Sequence, residues 1–214
     1  MKQGVRGQWP TSEWVESAHK MRLEKVSAPS SPLEDACGYA GIPVIHGVPI
    51  LSPENIRPGT GRTTILRPWQ PSAIAWLMGQ LGSPLQGGIL SDACGMGKTL
   101  TSLCVIYFLI QRKMEYDWSP TFRASLIVVP SSDIPQWVDQ IERYFGSKFN
   151  VLIFMGDPEH LQDSNRKQRT VKSTADLLKK LDDLDPSDPR TAYTLVVTTY
   201  DTMHLRTTRL VYSS

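Results

Sequence analysis

Residues Gly87–Leu100, GGILSDACGMGKTL, constrain this chain most, because they join a short apolar run to a helix through a loop ending Gly95-Met96-Gly97-Lys98-Thr99. Two glycines let the backbone pass close to an anion with its N–H groups turned inward. The helix that follows presents its positive end to the same point. In a phosphate loop the Lys reaches the outer phosphates and the Ser/Thr hydroxyl binds Mg²⁺, roles that fall here to Lys98 and Thr99. The general pattern G-x-x-x-x-G-K-[ST] asks for Gly where this chain has Asp92. A Gly-rich turn at the edge of a buried strand is the competing reading. An apolar strand before the loop and an apolar helix after it favour a phosphate.

The 214 residues are enough for one sizeable domain with an irregular leader, and a net charge of +2 does not by itself imply a nucleic-acid partner. Cys37, Cys94 and Cys104 are an odd number without metal-type spacing, which argues for reduced thiols in an intracellular protein. Cys94 lies in the loop beside a helix N-terminus and Lys98, surroundings that suit a reactive thiol; a small residue that fits the loop is the simpler account. The longest apolar run, Leu103–Ile110, is far short of the ~20 residues that cross a bilayer. The N-terminus lacks the apolar block of a secretory signal.

Residues 1–62 are rich in Pro, Gly and Ser and form the leader, with Glu13–Val26 its one helical candidate. Its apolar piece Ile42–Leu51 is either an edge strand or a segment lying on the domain surface, and His46 within it reads as structural. From residue 63 to 214 the pattern is that of a lobe. Trp69, Ala73, Trp76, Leu77 and Leu81 recur at helical spacing, with Gln70 at the start of that helix. A strand Gly88–Ser91, the loop, and a well-buried helix from Thr99 to about Lys113 follow. Ala124–Pro130 reads as a parallel strand covered on both faces. Ser131–Asp133 can cap a helix bearing Ile134, Trp137, Ile141, Tyr144 and Phe145, which Gly146 can end. Asn150–Met155 is a third strand. Arg166, Lys167, Arg169 and Lys172 then form a basic cluster, either a solvated loop or a phosphate contact. Ser173–Leu181 is a helix with Leu177, Leu178 and Leu181 inward, and Thr194–Thr199 is a fourth buried strand before a short helix at Tyr200. Alternating strands and helices imply an α/β fold with a mainly parallel sheet and helices on both faces, its ligands at the strand C-terminal ends.

Several stretches in this order together resemble the N-terminal RecA-like lobe of the Swi/Snf (SNF-two) family, the helicase-like ATPases that remodel chromatin and translocate on double-stranded DNA. LRPWQ, residues 66–70, is similar to the family's opening motif, whose Gln recognises adenine, here Gln70. SDACGMGKT, residues 91–99, resembles its phosphate loop, which also begins with Asp. That assigns Asp92, Ala93, Cys94, Gly95, Met96, Gly97, Lys98 and Thr99 to ATP, with Lys98 catalytic and Thr99 on Mg²⁺. Ala93 and Cys94 depart from the acidic residue and Met usual there. IVVPSSDIPQWVDQIERYF, residues 127–145, resembles a motif facing the DNA backbone, placing Pro130 and Ser132 there, with Trp137 as core. IFMGD, residues 153–157, is similar to a strand end that carries a Gly. LVVTTYD, residues 195–201, resembles the Thr-Thr-Tyr motif beside DNA and makes Thr198 and Thr199 phosphate contacts, which fix register but not sequence.

The family's next motif, an Asp-Glu pair after another apolar strand, has no counterpart in the sequence; Asp182-Asp183 precede the fourth strand. That pair holds Mg²⁺ through water and orients the attacking water. The second lobe, with its arginine, is also missing. The expectation is a partial RecA-like P-loop lobe of a DNA-dependent ATPase, binding ATP and Mg²⁺ without turnover by these residues alone. Duplex or nucleosomal DNA, a nuclear location and possible protein partners of the leader belong to the same expectation, with no membrane. The alternative is a non-catalytic nucleic-acid or protein interaction module that keeps the lobe's shape.

Overall fold

The computed structural model describes residues 33–52, 63–84, 86–117, 121–155 and 169–205. The expected helix Glu13–Val26, Gly156, Asp157, Arg166 and Lys167 lie outside the described residues. Helix α1 (Leu33–Ala40) and strands β1 (Val44–Ile45), β2 (Val48–Leu51) and β3 (Thr64–Ile65) come first. Helix α2 (Trp69–Leu81) and helix α3 (Lys98–Tyr116) follow, then β4 (Ser125–Val129), a 3₁₀ turn at Ser131–Asp133 and α4 (Ile134–Phe145). Strands β5 (Asn150–Phe154) and β6 (Thr170–Val171), helices α5 (Thr174–Asp182) and α6 (Pro189–Ala192), and strand β7 (Thr194–Thr199) complete the labelled elements. Residues 200–205 are helical.

The main sheet is parallel, in the order β4-β7-β5-β6. β7 lies between two partners, and all six of its residues are buried, as its unbroken TLVVTT run requires. Successive side chains of a strand face opposite sides, and the packing follows that rule. Leu195 and Val197 join Val151, Ile153, Leu103 and Ile141 in the larger core, while Val196 joins Phe154, Val171 and Leu177 on the other face. Helices thus cover both faces: α3 and α4 on one, α5 on the other. The larger core also holds an aromatic chain, Tyr107–Phe145–Phe149–Tyr193, with ring centroids 5.0 to 5.8 Å apart.

Four expectations change. The leader is not irregular between residues 33 and 51: α1, β1 and β2 form there, and Cys37, Ala40, Ile42 and Leu51 enter the larger core. Its apolar piece is a hairpin turning at His46 (φ 50°) and Gly47 (φ 75°). Positive φ at both central turn residues matches the twist of a two-residue hairpin, so His46 is an exposed turn residue. Second, residues 86–93 form no strand. Gly88 lies against α2, where an added Cβ would come within 2.8 Å of the Trp76 ring, and Ile89 is 86% exposed. A two-residue apolar core, preceded by Gly87-Gly88 and followed by Ser91-Asp92, carries too little side chain to join a ladder. Third, β4 is not covered on both faces: Ile127 and Val129 are buried while Leu126, on the other face, is exposed. Fourth, α5 buries Leu177 but leaves Leu178 exposed, because its contact with the sheet is one narrow stripe.

The expected α4 forms and closes at Gly146, whose N–H donates to the Glu142 carbonyl. No side chain caps its start; the 3₁₀ turn Ser131–Asp133 leads in instead. No helix among the described residues is long and apolar enough to cross a membrane.

Candidate phosphate-binding site

The loop Asp92–Gly97 leads directly into α3, 19 residues long and largely buried along Leu100, Leu103, Cys104, Tyr107 and Phe108. Burial of that stripe fixes the axis of the helix, and therefore the place where its first turn ends. Gly97 precedes α3 at φ 87°, a left-handed conformation natural to glycine, and no side chain caps the helix. The first N–H groups of an α-helix have no intrahelical partner, so this uncapped end offers donors and positive potential together. Gly95 is also left-handed, at φ 84°, and a Cβ there would meet nothing within 4 Å. Gly97 differs: a Cβ would lie 2.9 Å from the Gln70 amide nitrogen.

Lys98 turns its ammonium back across the loop, donating to the carbonyls of Asp92 at 2.8 Å and Ala93 at 3.1 Å. The loop is therefore curled around a positive charge. Met96 N–H donates to Ala93 O at 3.3 Å and closes the turn between them. Ala93, Cys94 and Gly95 are exposed, while Asp92, Lys98 and Thr99 are half-buried. Cys94 is a free, exposed thiol, whereas Cys37 and Cys104 are free and buried. Burial pushes both buried thiols above their ordinary pKa, Glu34 adding to the effect at Cys37, so both stay protonated at neutral pH.

The start of α2 braces this loop from below. Trp69 Nε1 donates to the Met96 carbonyl at 3.1 Å, and the Arg67 guanidinium lies 5.5 Å from the Trp69 ring centroid. Gln70 is 2% exposed. Its amide nitrogen donates to the Thr101 hydroxyl at 3.3 Å and the Gly97 carbonyl at 3.5 Å, and its oxygen accepts the Arg67 N–H at 2.9 Å. The structure thus makes Gln70 a strut beneath the loop. Reading an adenine edge would require that amide to leave these partners. Trp69 escaped sequence reasoning because helical spacing made it one more apolar residue of α2. Its indole N–H, rather than its ring, was the signal.

The parallel register sets Val129 beside Thr199, so Pro130 and Ser132 share one end of the sheet with Thr198 and Thr199. Pro130 and Ser132 are exposed, and Ser132 Oγ donates to Asp133 Oδ1 at 2.9 Å. The two threonines do not present their hydroxyls outward. Thr198 is fully buried and donates to the Phe154 carbonyl at 2.7 Å. Thr199 Oγ1 bonds the Thr202 hydroxyl at 2.9 Å and accepts its N–H at 3.0 Å, starting the helix of residues 200–205. Their motif places them in the central strand, where side chains serve the core before any ligand. Thr198→Val is accordingly expected to lower unfolding free energy by about 0.5–1.5 kcal/mol in urea titrations while leaving any DNA affinity unchanged. Of the basic cluster, Arg169 is tied to Glu142 at 2.7 Å. Among the described residues no group of three or more His, Cys, Asp or Glu could hold a metal.

Residues 69–212 match the SNF2-related domain family. The DNA repair and recombination protein RAD54B of Gallus gallus is 33% identical over 99 residues, 44% of this chain and 11% of that protein. Protein CHROMATIN REMODELING 25 of Arabidopsis thaliana is 26% identical over 153 residues, 69% of this chain and 15% of that protein. The chain therefore spans a small part of the relatives it matches. The Sulfolobus solfataricus SWI2/SNF2 ATPase core in complex with dsDNA superposes with a TM-score of 0.38, at 24% identity over 68% of this chain and 23% of that one. That superposition is too loose to place any residue.

Proposed function

We propose, because this chain belongs to the SNF2-related domain family, that Asp92–Thr99 is the ATP phosphate loop of a Swi/Snf-like, DNA-dependent ATPase lobe. The observation that carries this reading is the uncapped N-terminus of α3 behind a left-handed Gly97, with Lys98 turned into the same loop. Helix-end N–H groups of this kind bind phosphate without further side chains. The site fits the group: the helix start is uncapped, Gly95 has open space beside it, and Lys98 is already held inside the loop. In this reading Lys98 exchanges the Asp92 and Ala93 carbonyls for phosphate oxygens, and Thr99 contributes its hydroxyl to Mg²⁺. Bound Mg²⁺ neutralises phosphate charge.

Pro130 and Ser132, exposed at the end of β4, are the proposed contacts to a duplex backbone, while Thr198 and Thr199 at that end bond inward. Chromatin or repair work, which the relatives' names support, and a nuclear location belong to the same proposal. The test is calorimetric titration of the chain with Mg²⁺-ATP, with duplex DNA binding measured with and without nucleotide. Saturable binding is expected, and its absence in folded protein would overturn the reading.

A specific observation favours a second reading, a binding module that keeps the lobe's shape without using nucleotide. Residues 86–93 stand outside the sheet, so among the described residues α2 and α3 hold the loop. Duplex affinity that ignores Mg²⁺-ATP would select it.

A further inference from the structure

We infer that Trp69 is a positioning residue of the phosphate site, its indole N–H latching the Met96–Gly97 peptide so that the Gly97 N–H faces the anion; this rests on the phosphate reading above. Consecutive residues at the start of α2 hold consecutive carbonyls of the loop: Trp69 takes Met96 and Gln70 takes Gly97. A trans peptide is planar, with its C=O and N–H pointing opposite ways. Holding a carbonyl down toward α2 therefore turns the N–H of the next residue up and away from it. For the Gly97 carbonyl the hold is doubled, because Thr101 N–H also donates to it at 2.9 Å as the first bond of α3. For the Met96 carbonyl the hold is the Trp69 bond at 3.1 Å.

That peptide is also able to turn over, since glycine accepts both signs of φ at little cost. A flipped Met96–Gly97 unit would aim a carbonyl oxygen, instead of an N–H, at the phosphate. The latch is itself braced. Arg67 packs on the Trp69 ring, and its backbone N–H is fixed by Gln70 Oε1 at 2.9 Å. The 2.9 Å approach of a Gly97 Cβ to the Gln70 amide shows that the loop rests directly on this brace.

The test compares the chain with Trp69→Phe, which keeps an aromatic ring against Arg67 and loses the N–H. Should that variant fold poorly, benzothienylalanine at position 69 keeps the bicyclic shape without the donor. In the ligand-free protein, the Gly97 amide resonance is expected to move while that of Thr101 stays. An unmoved Gly97 amide overturns the latch, whether or not nucleotide binds. By calorimetry, Mg²⁺-ATP and Mg²⁺-pyrophosphate are both expected to weaken by about 3–10-fold, the loss of one hydrogen bond's net contribution. Weakening of ATP alone would place Trp69 at the base and overturn the inference, as would unchanged affinity for both. Failure of the unsubstituted chain to bind either ligand removes the phosphate reading, and the Gly97 resonance still decides whether Trp69 sets the peptide.

Discussion

Lys98→Ala is expected to weaken Mg²⁺-ATP binding by about 10–150-fold, the range for one or more lost hydrogen bonds to a charged group. The ammonium is the one cation that the loop places against its own carbonyls, at 2.8 and 3.1 Å, and α3 supplies only partial charge beside it. Stability should change little. The side chain is half-buried, and both of its acceptors belong to a loop with exposed residues, where water can replace the lost donor. Calorimetry on the variant, with circular dichroism and a urea titration to check the fold, separates the two effects. Lys98→Arg should recover only part of the affinity, because a planar fork does not replace a compact point charge in a turn this tight. Undiminished binding by Lys98→Ala would remove Lys98 from the site.

Phe145→Ala is expected to lower unfolding free energy by about 3–5 kcal/mol, a large share of the roughly 5–15 kcal/mol available to a domain. Phe145 is the last residue of α4 and is fully buried. Its ring centroid lies 5.7 Å from Tyr107 on α3 and 5.0 Å from Phe149, the residue just before β5, so one side chain joins two helices to the entry of the sheet. Deleting it opens a cavity that three separate elements would have to close together, and such cavities relax only partly. Phe145→Leu, which keeps most of the volume, should cost less than about 1.5 kcal/mol. A urea titration that finds the two variants equal would show that the aromatic chain is not the joint between layers.

Much of the fold is legible because it rests on local pattern. TLVVTT has no polar side beyond its threonines, and it lies at the sheet's centre. The stripe Leu100, Leu103, Cys104, Tyr107 and Phe108 recurs at three and four residues, and it is the buried face of α3. The helix α1 and hairpin inside the leader were not legible. Prolines 43 and 49 look like breakers in a list of residues, yet Pro49 pairs with Val44 and still leaves its carbonyl to the Leu66 N–H. The segment before the loop failed the other way. Gly88–Ser91 has the look of a strand, but a strand exists only through a neighbour's backbone, and the sequence does not say which neighbour is present.

The candidate site divides along the same line. Residue identity alone determined the cradle: two glycines, a lysine and a threonine at that spacing select a left-handed turn, an uncapped helix start and a charge beside it. Tertiary structure alone decided what each flanking polar group is free to do. Gln70, Thr198 and Thr199 carry hydrogen-bonding groups that suit a ligand, and each is occupied by a partner 3 to 44 residues away. Trp69, apolar by spacing, supplies the donor that reaches the loop. Spacing along a chain fixes which groups can approach one another locally. Which of them are already satisfied depends on contacts between distant segments, and in a buried layer those contacts are made first because an unmet polar group there is costly.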